Sequence, residues 1–198
     1  MKKTKDTKKR IIAAGSQLFR RRGYFGTGLS EILKESGAPK GSFYFHFPKG
    51  KDQLAAACVD AAAEDVARGL EAAAEKSQSI AEFVENLIEG YERMLQRSDF
   101  GASSMLTNIS LDVAPTNKMI SDHLQNGYRR WHKIIAEFCA RQLGSRQDGS
   151  DMAVLIISSL EGALSLCRTE QSTAPLKAVA RQLKAQGQST QKLAATPQ

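Results

Sequence analysis

The chain has 198 residues, 41% of them hydrophobic and 25% charged, which is enough apolar material for one large domain or two small ones. No uninterrupted apolar stretch reaches the roughly 18 residues of a membrane span. Met152–Leu160 is broken by Ser158 and Ser159, and no apolar segment follows the basic start MKKTKDTKKR, so neither a span nor a secretory signal is expected and the cytoplasm is the expected compartment. The net charge of +7 divides unevenly. Residues 1–51 carry 13 Lys and Arg against Asp6, Glu31 and Glu35, whereas residues 52–198 carry 15 against 18 acids. A basic end of +10 suits a polyanion, although a solvated basic face would have the same composition.

Helical periodicity dominates, without sustained strand-like alternation. A first helix is predicted from about residue 4 or 6 to residue 22, with Ile11, Ala14, Leu18 and Phe19 as its stripe and Gly23 as its stop. After the linker Tyr24–Phe25–Gly26–Thr27–Gly28, a short helix spans 29–36, with Leu29, Ile32 and Leu33 inward and Thr27 or Gly28 as its cap. Gly37–Ala38–Pro39 interrupts it: Gly37 suits a left-handed C-terminal residue and Pro39 suits the opening of a new helix. That helix runs from Lys40 to about Phe47, and a long one from Lys51 to about residue 75.

Beyond residue 76 longer amphipathic helices are expected. Ile80, Phe83, Val84, Leu87, Ile88, Tyr91, Met94 and Leu95 recur at helical spacing. Residues 101–117, interrupted by Pro115, leave room for one short helix at about 104–111. Ile120, Leu124, Tyr128, Trp131, Ile135, Phe138 and Cys139 mark another long helix ending near Gly144. Residues 152–167 are apolar nearly all round, which predicts burial on more than one side. A weaker helix at 174–185 and a frayed or disordered tail at 187–198 complete an all-α chain.

Cys58, Cys139 and Cys167 have no CxxC spacing. They read as reduced thiols, either small buried hydrophobes or redox sensors. The chain has three histidines, His46, His123 and His132, too few and too separated for a metal site. Phosphate-loop, dinucleotide-binding, serine-nucleophile and zinc-protease patterns are all missing, so neither a cofactor nor an enzyme activity is expected.

Two short helices joined by a glycine-containing turn, inside the basic end, form the pattern of a helix-turn-helix. An ordinary helical hairpin is the alternative. The second helix, KGSFYFHF, places Phe43 and Phe47 on a core face and leaves Lys40, Ser42, Tyr44, Phe45 and His46 on others. So short a helix with so many rings off its core stabilises itself poorly, and the arrangement makes sense if those side chains meet a DNA groove. Lys40 and Ser42 are placed for base edges, Tyr44 and His46 for phosphates. Gly41 permits close approach, and Lys51 would reinforce a phosphate site at the start of the following helix.

The segment from Thr7 to Leu54, with RRGYFGTGLSEIL, then GAPKGSFYFHF, then Lys51 and Leu54, resembles the DNA-binding domain of the TetR family over about 48 residues. PKGK holds one residue more before Lys51 than the usual linker, as in a subgroup resembling LmrA/YxaF-type repressors. The resemblance implies a three-helix helix-turn-helix domain at 1–52 and a helical effector-binding and dimerisation domain at 53–186. It further implies a homodimer joined through helices at about 150–169 and 174–184, which represses at double-stranded DNA and is released by a small-molecule effector, expected to be apolar or aromatic from the apolar residues of the C-terminal half. By the same resemblance Ser42, Tyr44, His46 and Lys51 fall on positions that commonly touch DNA. Thr27 and Gly28 begin the supporting helix, Lys40 and Gly41 open the recognition helix, and Phe45 replaces a residue that is often polar or Tyr.

Past residue 60 the resemblance fades and side-chain chemistry alone marks candidates. Phe83, Leu87, Tyr91, Met105, Trp131, Phe138 and Ile157 are candidates to line an apolar cavity, with Asn108 and Glu161 as its polar groups. Each apolar member, at such helical spacing, reads more readily as core. Glu161, the one charge in LIISSLEGALSLC, is either a ligand contact or a partner-facing carboxylate, and Gly162 and Ala163 beside it would allow a close helix approach at a dimer interface.

Overall fold

The computed structural model describes residues 2–101 and 104–194. Among these residues there are nine helices and no strand, so the chain is all-α as expected. The helices are α1 (Lys2–Arg22), α2 (Leu29–Ser36), α3 (Lys40–His46), α4 (Lys51–Lys76), α5 (Ile80–Arg97), α6 (Met105–Val113), α7 (Lys118–Leu143), α8 (Arg146–Glu170) and α9 (Ala174–Ala194). Serine side chains set several starts. Ser79, Ser104 and Ser145 each accept the backbone N–H three residues on, which satisfies one of the free donors of a first turn. The Ser145 cap explains why α8 begins before residue 150.

The chain divides into two compact units. One contains residues 1–64 and 104–128, the other residues 65–103 and 129–198. The division falls inside α4 and α7, not at the expected 52/53 boundary. Packing gives the reason: Leu54, Ala55, Cys58 and Val59 at the start of α4 are fully buried. A Cβ added at Gly15 of α1 would lie 3.0 Å from the Cys58 sulfur, so α1 and α4 share one core. Ile11, Phe19, Ile32, Phe43 and Phe47 complete it at 0–1% exposure, each contributing on the order of 1.5–3 kcal/mol.

In the second unit α5 buries Ile80, Phe83, Val84, Leu87, Ile88 and Leu95. The ring of Phe83 stacks on Phe138 of α7, centroids 4.7 Å apart. A Cβ at Gly149 would come within 2.6 Å of the Ala140 nitrogen, so α8 lies directly against the α7 backbone.

Two expectations are corrected here. α8 is buried on one stripe only, through Met152, Ala153, Ile156, Leu160, Ala163, Leu164 and Cys167, while Val154, Leu155 and Leu166 are 41–56% exposed. Apolar residues all round a helix do not bury it where no neighbour covers the far side. α8 is also the one described helix long and apolar enough to cross a membrane, yet its buried stripe has the spacing of a core helix. α9, in turn, continues to Ala194, well beyond residue 185. Gly187 is buried, and a Cβ there would sit 2.9 Å from Ile80, so α9 lies directly against α5 at that turn. Residues 195–198 of the expected tail lie outside the described residues.

Candidate nucleic-acid interface

The turn between α2 and α3 is built as the sequence predicts. Gly37 takes φ 61° and ψ 24°, and its N–H reaches the Lys34 carbonyl, a conformation that costs a residue with a Cβ. The buried Ser36 hydroxyl donates to the Leu33 carbonyl and accepts from the Ala38 N–H, both at 3.3 Å. Pro39, in extended conformation, precedes α3. Phe43 and Phe47 point inward with rings 5.5 Å apart, and the Lys8 ammonium lies 5.9 Å from the Phe47 ring centre.

What remains of α3 faces out. Lys40, Gly41, Tyr44 and Phe45 are exposed, Phe45 at 74%, while Ser42 and His46 are half-buried. Nothing lies within 4 Å of a Cβ placed at Gly41, so the fold itself does not require glycine there. His46 Nε2 is shielded without a hydrogen-bond partner among the described residues, and its ring meets that of Phe45 edge-on at 5.1 Å.

Thr27 and Lys51 do otherwise than expected. Thr27 is fully buried, and its hydroxyl donates to the Gly23 carbonyl at 2.8 Å; no part of that side chain is left for a ligand. The Lys51 ammonium donates to the carbonyls of Tyr24 (3.0 Å) and Thr27 (3.1 Å) and sits 4.0 Å from the Tyr24 ring centre. Two of its three N–H groups are therefore spent internally. Burial lowers its pKa, against the nearby Asp52 and Asp112 charges that raise it. Gly28 caps α2 in extended conformation without a side-chain bond.

Lys51 belongs to a polar frame. The Tyr24 hydroxyl donates to Asp52, whose other oxygen accepts from Asn117 Nδ2 at 2.7 Å. Burial, with the Asp52 bond and charge, pushes the Tyr24 phenol well above its ordinary range. From α6, Asp112 accepts the Tyr24 N–H at 2.6 Å, and Asn108 donates to the Arg20 carbonyl at 3.0 Å. Asn108 therefore braces the α1 end. Nothing in local spacing points to Asp52, Asp112 or Asn117, because their partners lie 28 to 88 residues away.

The expected cavity residues are only partly assembled. Met105, 2% exposed, belongs with Asn108 to the first unit, and Phe83 and Phe138 spend their faces on each other. Tyr91, Trp131, Ile157 and Glu161 do converge, with Val66, Leu70, Ile135 and Leu160, around a void of about 10 Å³, room for roughly one water. Beside it an open groove of about 590 Å³ runs between α4 and α5. Leu87 and Tyr91 line it, and Val66, Leu70 and Tyr91 are common to groove and void. Gly69 and Gly90 also line it, each with nothing within 4 Å of a would-be Cβ. A mid-helix glycine costs about 1 kcal/mol relative to alanine, so these two were the overlooked signal in the sequence.

The three thiols are free and buried. Burial pushes Cys58 and Cys139 up to about 12, disfavouring the reactive thiolate. His123 pairs with Asp60 at 2.7 Å, His132 lies 3.2 Å from the Ser150 carbonyl, and no metal-ligating cluster occurs among the described residues.

Comparison with known proteins extends this geometry. Residues 11–58 match the N-terminal model of bacterial regulatory proteins of the tetR family, and residues 80–182 match the C-terminal domain of LmrA/YxaF-like transcriptional regulators. The chain is similar to the HTH-type transcriptional regulator LmrA of Bacillus subtilis, 29% identical over 175 residues that cover 86% of this chain and 91% of LmrA. It is similar to the HTH-type transcriptional repressor DhaR of a Mycobacterium species, 25% identical with 84% of each chain covered. In fold it matches the regulatory protein TetR from Rhodobacter sphaeroides, with a TM-score of 0.80 at 23% identity, covering 89% of this chain and 96% of that one.

Proposed function

Since this chain belongs to the TetR family of transcriptional regulators, with an LmrA/YxaF-like C-terminal domain, we propose that it is a repressor acting as a homodimer. The dimer sets two α3 helices in successive major grooves of a pseudo-palindromic operator, about 34–36 Å apart. The observation that carries this is α3 itself: two inward phenylalanines anchor it, and every other side chain is wholly or partly exposed, inside a segment of net charge +10. Contacts divide by position. Lys40, Tyr44, Ser42 and His46 reach phosphates and base edges, while Lys51 and Thr27 hold the frame behind them.

The exposed Val154, Leu155 and Leu166 of α8 support the dimer. Unpaired, such a row is a liability in water; against its own copy it becomes a core. Exposed Gly162, with open space before its Cβ position, lets two such helices approach.

Release by a small apolar or aromatic effector is supported by the α4–α5 groove. A flat ligand lodged there that displaced the Tyr91 ring would reach Trp131 and the Glu161 carboxylate. Differential binding of about 1–3 kcal/mol between two arrangements of the dimer changes operator occupancy several-fold to a hundredfold. The small size of the void favours a second reading, a regulator without an effector. Trp131 is the only tryptophan, so its fluorescence during a screen of aromatic compounds separates the two: quenching coupled to operator release supports the effector, and unchanged operator affinity throughout supports the second reading.

The DNA-binding reading is tested by gel shift with the duplex upstream of the protein's own gene. A salt-sensitive specific band is expected. Tyr44→Ala combined with Lys40→Ala should remove it while sedimentation and circular dichroism stay unchanged. A band that survives the double variant would sink the assignment of α3.

A further inference from the structure

We propose that Phe45 reads a thymine methyl group in the operator, an inference that rests on the placement of α3 in the major groove. At about 100° per residue, position 45 stands about 200° around α3 from each of the buried Phe43 and Phe47, and position 41 lies about 40° from position 45. Gly41 and Phe45 therefore form the outermost ridge of the helix, with Lys40 and Tyr44 on one flank and Ser42 and His46 on the other. The flanks carry hydroxyls, an ammonium and an imidazole; the ridge side chains carry no donor and no acceptor.

The two ridge positions act together. Gly41 has no Cβ, and the protein leaves open space around it, so the α3 backbone can approach the groove floor closely. Close approach brings the next ridge residue, one turn on, against base edges rather than phosphates. Phe45 is 74% exposed, and the edge-on contact with His46 at 5.1 Å limits its swing. An apolar ring pressed on base edges is unfavourable wherever it covers unpaired donors and acceptors. Among the major-groove features of the four bases, the C5-methyl of thymine is the apolar one. The flanks thus grip phosphates and polar edges, while the ridge selects thymine by contact with its methyl.

The experiment uses the full-length protein and a site selected from a randomised duplex library. A recurring thymine at one symmetric position of each half-site is expected. Replacing that thymine by deoxyuridine removes one methyl and leaves base pairing and hydrogen-bond groups intact. Affinity should fall about fourfold per half-site, or about fifteenfold with both replaced. Phe45→Ala should weaken the thymine duplex comparably and abolish the difference between thymine and deoxyuridine; Phe45→Leu should retain part of it. Deoxyuridine substitutions that cost nothing at any position, or losses that multiply independently with Phe45→Ala, overturn the inference while leaving DNA binding in place. Failure of the wild-type protein to select any site overturns the DNA-binding reading and this inference with it.

Discussion

The two units solve the same problem, holding helices at fixed spacing, with different chemistry. The first braces the loop behind α3 through long-range polar bonds: Lys51 to the Tyr24 and Thr27 carbonyls, Asp112 to the Tyr24 N–H, Asn108 to the Arg20 carbonyl. The second uses close apolar contact, with Phe83 stacked on Phe138 and glycines at 149 and 187 letting helices touch at backbone distance. A polar brace holds a segment from behind and leaves its outer face unspent, which suits a surface that must meet another molecule. Close apolar packing spends the inner face of each helix and leaves room where side chains are missing, as between Gly69 and Gly90.

That contrast can be broken at its strongest point first. Gly149→Val places carbon against the Ala136 and Ala140 backbone and should cost about 3 kcal/mol or more; an unchanged denaturation midpoint would show that the second unit is not held by backbone contact. Asp112→Ala leaves the Tyr24 N–H without its acceptor and should cost about 1–3 kcal/mol. Its effect on operator affinity should exceed its effect on dimerisation, measured by gel shift and sedimentation respectively. Equal losses in both would mean that the polar frame does not specifically serve α3.

Gly41→Ala should act with opposite signs on the two properties. Folding stability is expected to hold or rise by up to about 1 kcal/mol, while operator binding weakens because the added methyl stands on the helix ridge. If both stay unchanged, the α3 backbone does not come near the bases. The smallest effect concerns the thiols. With Cys58 and Cys139 pushed up to about 12 by burial, both stay protonated at pH 8, and Ellman's reagent should react with them only as fast as the protein opens. Rapid modification of Cys139 in the native state would show the second unit to be looser than its packing implies.

Much of the interface was legible from local pattern. Gly37 and Pro39 announce the turn, Phe43 and Phe47 sit four apart, and the rings between them have no core to enter; each statement needs only neighbours in the chain. Thr27 and Lys51 mark the limit of such local pattern. Both lie in the right segment, but whether they face a ligand or the protein depends on Gly23, Tyr24 and the bracing residues of α6 and α7. Of the nine residues expected around a cavity, only Tyr91, Trp131, Ile157 and Glu161 meet at the void, because helical spacing identifies an inward face without saying which face lies opposite.

By itself, then, the sequence determined the all-helical class, the helix-turn-helix with its charge, and the direction in which most α3 side chains point, because these depend on composition and on periodicity within a single helix. Tertiary structure alone decided that α8 keeps Val154, Leu155 and Leu166 outside, that α9 packs on α5 at Gly187, and that α6 braces the loop behind α3. Each of those outcomes turns on a neighbour distant along the chain, whose presence or absence no local pattern records.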